Sequence, residues 1–83
     1  MTGTPEGQLI ALDDVAAIEA MPVESVLLCR VEEVFQLKAG PMGAAWFALG
    51  YGDVNWPAAQ VAVWGPLLVL YNPTQDHPSL EVV

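Results

Sequence analysis

Three places in this 83-residue chain carry side chains of the kinds that do chemistry. Glu32 and Glu33 are adjacent carboxylates lying between the two cations, Arg30 and Lys38. A carboxylate pair works as general acid and base when both groups face one substrate. Neighbours on a strand point to opposite faces, and on a helix they diverge by about 100°. Glu32 and Glu33 therefore read as a solvated edge and a salt bridge to Arg30 or Lys38. Cys29 is the single cysteine, so it has no intrachain disulfide partner. It reads as a small buried residue in a reducing compartment. Asp76-His77 holds the one histidine. A metal site needs further His or Cys at ligand spacing, so no metal or cofactor is expected.

No Ser-His-Asp set, phosphate-binding loop or dinucleotide fingerprint occurs, and the expectation is a non-enzyme. The chain has ten carboxylates against two cations, a net charge of −8. That excludes phosphate-backbone binding, which needs clustered Lys and Arg, so no nucleic-acid partner is expected. It favours a partner with a basic surface. Asp13, Asp14, Glu19 and Glu24 form an acidic N-terminal patch suited to such docking. The same residues also serve helix capping and solubility.

The hydrophobic fraction is 54%, high for this length. A domain this small buries only about 60% of its unfolded-chain surface. The apolar excess points to a partner interface, either on a larger protein or in a homodimer. Trp46, Trp56 and Trp64, with Tyr51, Tyr71 and Phe47, are the residues that anchor either a core or an interface. Trp64 and Phe47 are expected in the core. Trp56, Tyr51 and Met42 fall in turns and are expected to be exposed partner contacts. The longest apolar run, 58–71, is broken by Gln60 and Gly65-Pro66. It is too short and interrupted for a span of about 20 residues, so no membrane association is expected. No signal peptide is visible, and the expected location is the cytoplasm.

Stepping along the chain, residues 1–8 carry Gly3, Pro5 and Gly7 and read as a flexible tail. Residues 9–83 then form one small domain. Residues 12–21 suit a short helix capped by Asp13 and stopped by Pro22. Residues 23–39 admit two readings. As a helix, Leu27, Leu28, Val31, Val34 and Phe35 make one stripe and Gly40 is the stop. As a strand, Leu27, Cys29, Val31, Phe35 and Leu37 share a face, with a β-bulge beside Glu33 restoring the alternation. Gly40-Pro41-Met42-Gly43 is a turn, followed by a strand over 44–50 with Trp46 and Phe47 on opposite faces. Residues 60–64 and 67–71 read as strands around Gly65-Pro66, and 80–83 as an edge strand. From Ala39 to Gln75 the one formal charge is Asp53, so this half is expected to be buried or in an interface.

Leu27, Leu28, Val31, Glu32, Glu33, Val34, Phe35 and Leu37, followed by Gly40 and Gly43, match a pattern of apolar strand, Glu pair and Gly-rich hairpin. Gly50 and Val61-Ala62-Val63-Trp64-Gly65 match a later strand end and a short Val-rich run. In these positions the chain resembles the second, β-barrel domain of elongation factor Tu and related translation GTPases. The likeness implies a strand rather than a helix near Glu32. It implies neither GTP hydrolysis nor RNA-end contacts, because the nucleotide loop and the basic positions are missing from this sequence.

The fold expected is mainly β, a small barrel-like or curled antiparallel sheet with one short N-terminal helix. The alternative is α+β with residues 23–39 helical. The function expected is a non-enzymatic acidic interaction module, an inhibitor or adaptor on a larger protein. Its alternative is a self-associating structural β module.

Overall fold

The computed structural model describes residues 2–50 and 54–76. Among these the chain forms β1 (Leu9–Ile10), α1 (Val15–Glu19), β2 (Val26–Leu28), β3 (Val34–Gly40), β4 (Gly43–Ala48), β5 (Asn55–Trp56), α2 (Ala58–Ala62) and β6 (Leu67–Tyr71). The strands make one antiparallel sheet in the order β1-β6-β2-β3-β4-β5. The fold is mainly β, as expected. The two end strands, β1 and β5, do not pair with each other, so the sheet stays open rather than closing into a barrel.

Residues 23–39 are neither one helix nor one strand. They are a hairpin, with Leu27 opposite Phe35 and Leu28 opposite Val34. The connection is tight: Cys29 N–H donates to the Glu33 carbonyl at 2.8 Å, and Glu32 N–H to the Cys29 carbonyl at 3.0 Å. Glu32 has φ 64°, the left-handed conformation that closes a three-residue hairpin loop. The bulge expected beside Glu33 is thus present as the left-handed residue that ends the turn. It restores the alternation: Leu27, Cys29, Phe35 and Leu37 are all buried, while Val31 at the turn is exposed.

The N-terminal helix is shorter than expected, and Asp14 rather than Asp13 caps it, its Oδ1 accepting from Ala17 N–H at 3.2 Å. The larger correction falls on residues 60–64, read as a strand. Pro57 opens a helix there, α2, and the alanine-rich Ala58-Ala59-Gln60-Val61-Ala62 continues it. Strand alternation would bury Val61 and Val63 together. Instead Val61 and Ala62 are buried and Val63 is exposed. The Val-rich run matched to the translation factors thus lies in α2 and its C-cap. Gly65 then carries the chain past Leu12; a Cβ at Gly65 would stand 3.0 Å from the Leu12 Cα. The β6 strand and the Gly40–Gly43 turn form as expected, with Gly40 opposite Gly43. The edge strand expected at 80–83 lies outside the described residues.

Both helices pack on one face of the sheet. Ile18, Val61 and Ala62 join Ile10, Leu27, Phe35, Leu37, Trp46, Leu67 and Val69 in a single core. Asn72, fully buried after β6, ties residues 2–8 to this unit. Its Nδ2 donates to the Thr2 carbonyl at 2.6 Å and the Thr4 carbonyl at 3.1 Å. Its backbone N–H donates to Glu6 Oε2 at 2.9 Å.

Two stability predictions follow from this geometry. Glu32→Gly removes a left-handed strain of about 1 kcal/mol and raises the urea midpoint; a lowered midpoint would mean the Glu32 side chain holds the turn. Asn72→Ala removes the hydrogen bonds that a buried side chain makes to the Thr2 and Thr4 carbonyls and costs about 0.5–1.5 kcal/mol, read in the same urea titration as an earlier transition.

Candidate functional site

The residues expected to meet a partner do not converge. Asp13, Asp14 and Glu19 lie in the helix layer and are exposed. Asp13 N–H is tied to the Ala62 carbonyl at 3.1 Å, and Asp14 spends one carboxylate oxygen on the cap. Glu24 sits elsewhere, on the opposite face of the sheet. Its Oε2 accepts from Gln36 Nε2 at 3.3 Å and lies 3.9 Å from Lys38 Nζ. Lys38 thus pairs with Glu24. Met42, 98% exposed, caps the tip of the β3–β4 hairpin. Trp56 is half-buried on β5, and Tyr51 lies outside the described residues, as does His77. Asp76 is exposed.

Neither of the two rings expected in the core, Phe47 and Trp64, is a core residue. Trp46, not Phe47, is the core ring of β4, because Trp46 faces Leu37 while Phe47 pairs with Gln36 on the other face. Trp64 is half-buried and packs against the core rather than within it.

Directly paired residues in an antiparallel sheet share a face. That rule exposes what the sequence reading missed. Leu9 pairs with Leu68, Leu68 with Leu28, and Leu28 with Val34. Leu49 N–H donates to the Val34 carbonyl at 2.9 Å and extends the row. Five aliphatic side chains thus cross five successive strand positions on the face away from the helices. The row spans four interstrand gaps, about 19 Å. Beside it run Val26, Gln36, Phe47 and Asn55, then Lys38 and Ala45. Leu9 is 63% and Leu49 58% exposed at the ends of the row. None of its five residues belongs to the core, and among the described residues no helix covers this face. A groove of about 780 Å³ runs off it along the hairpin, past Phe47, Leu49 and Asn55. Residues 39–44 of that hairpin are all exposed. The signal was legible in principle: a sheet covered on one face alternates apolar with polar, but here Leu28, Val34 and Leu68 occupy outward positions.

A second, smaller cavity of about 240 Å³ opens on the helix-side face, walled in part by the two tryptophans that flank α2. Glu33, Phe35, Trp56 and Trp64 line it, with Cys29 buried beside them. Phe35 stacks on Trp64 with centroids 5.3 Å apart, and Trp56 stands nearly perpendicular to both. Among the described residues, no group of three or more His, Cys, Asp or Glu could hold a metal ion. No helix among them is long and apolar enough to cross a membrane.

No family model matches the chain, and no curated protein or solved structure matches it either.

The geometry separates capping from docking in the acidic patch. Asp14→Ala is expected to cost about 1 kcal/mol by loss of the N-cap. Glu19→Gln should leave stability within about 0.5 kcal/mol. Thermal melts of the two variants check the contrast; equal melting points would remove Asp14 from its structural role.

Proposed function

We propose that this chain is a non-enzymatic protein–protein interaction module that closes its open sheet face against a second copy of itself. The observation that carries the reading is the aliphatic row from Leu9 through Leu68, Leu28 and Val34 to Leu49. Monomeric proteins rarely leave a contiguous apolar patch of this kind uncovered.

Charge selects the occupant. A chain of net charge −8 repels its own copy wherever carboxylates would meet. Among the described residues, the open face carries Lys38 against Glu24, a pair whose charges balance. Asp13, Asp14 and Glu19 belong to the helix layer on the other side. Two copies stacked through their open faces therefore keep these carboxylates outermost. A two-fold axis makes such an interface self-complementary, and sheets pack face to face at about 10 Å.

The outward helix layer then remains available to a larger protein with a basic surface, on which the pair acts as adaptor or inhibitor. The buried free thiol of Cys29 fits a reducing cytoplasm as the working compartment.

Sedimentation equilibrium tests the reading. The wild-type chain is expected to be dimeric at micromolar concentration. Leu68→Glu and Leu49→Glu are expected to be monomeric with unchanged far-ultraviolet circular dichroism. A monomeric wild type, or a dimer indifferent to both charges, would overturn it.

A further inference from the structure

We propose that the aromatic cavity beside the β2–β3 turn is an anchor site for an arginine or lysine side chain of a basic partner protein. The proposal rests on the interaction-module reading and names the chemistry of its partner.

The walls suit an organic cation. Trp64 and Trp56 present indole rings, whose negative π faces attract guanidinium and ammonium groups. The rings are held in place rather than loose: Phe35, buried, backs Trp64 at an interplanar angle of 8°, and Trp56 stands at 84° to Trp64. Fixed walls spare the ordering cost that weakens binding. Glu33 supplies the charge at the cavity's edge. Its backbone position is set by the hairpin turn, where its carbonyl accepts from Cys29 N–H. A carboxylate offers about four acceptor sites, more than a single contact occupies.

Size and field agree. At about 240 Å³ the cavity is smaller than the sites of drug-sized ligands, which start near 300 Å³. It suits a single long side chain. The cavity opens on the helix-side face of a chain of net charge −8, whose overall field draws cations. Arg30, the cation on the same turn, is exposed and does not line the cavity. Because this face points away from the open face, the site stays accessible in the stacked pair.

Tryptophan fluorescence of the intact chain, titrated with capped tripeptides, tests the assignment. The central residue is arginine, lysine, or citrulline, the neutral isostere of arginine. Saturable quenching by the arginine and lysine peptides is expected, with citrulline weaker by at least about fivefold. Glu33→Gln should weaken the arginine peptide by a similar factor, whereas Glu19→Gln, which removes the same charge from the helix layer, should not. Equal binding of citrulline, equal loss in both variants, or no saturation would overturn the proposal. Methylguanidinium binding as tightly as the peptide would assign the cavity to small free cations and overturn it as a partner anchor. Sedimentation of the same samples keeps the two readings apart: a monomer that binds the arginine peptide sinks the stacking reading alone, and a dimer that does not sinks only this one.

Discussion

The constraint on which this structure depends is a sheet that is apolar on both faces and roofed on one. Each helix has five residues, about 7.5 Å of axis. Two such pieces cannot cover six strands, let alone both sides of them. On the covered face they shelter Ile10, Leu27, Leu67 and Val69, and large rings complete the layer where the helices stop. Trp46, Trp56 and Trp64 are those rings. On the other face nothing described plays that part, and the Leu28–Leu68 row is left at the surface.

Charge follows the same division. Asp13, Asp14 and Glu19 lie in the helix layer, while Glu24 and Lys38 form an opposed pair on the unroofed side. At 3.9 Å and half exposed, that pair contributes little stability. Its consequence is local: within that pair the two charges balance. The aromatic cavity, by contrast, lies on the helix-side face.

The legible elements were those with local punctuation. Gly40-Pro41-Met42-Gly43 announced its turn, Pro22 the end of the first helix, and the apolar run 67–71 its strand. The hairpin at 29–33 was illegible because Arg30-Val31-Glu32 contains no Gly, Asn or Pro, and Glu32 takes a left-handed conformation that its residue type does not advertise. Helix α2 was misread because Val61-Ala62-Val63 mimics strand alternation, while the decisive fact, that Val63 faces outward, is tertiary. For the candidate site, Met42 and Trp56 were singled out from the sequence, but the aliphatic row was not. Four of its members come from four strands and Leu49 directly follows a fifth, and only the register brings them into line.

The central claim is that the open face is covered in solution by a second copy. Solvent paramagnetic relaxation of the leucine and valine methyl groups by a soluble nitroxide reads that cover directly. Methyls of Leu28, Leu68 and Val34 are predicted to be shielded like those of core Leu27 at high protein concentration, and to lose that protection on dilution. Enhancement of the Leu28 and Leu68 methyls at every concentration would contradict the account.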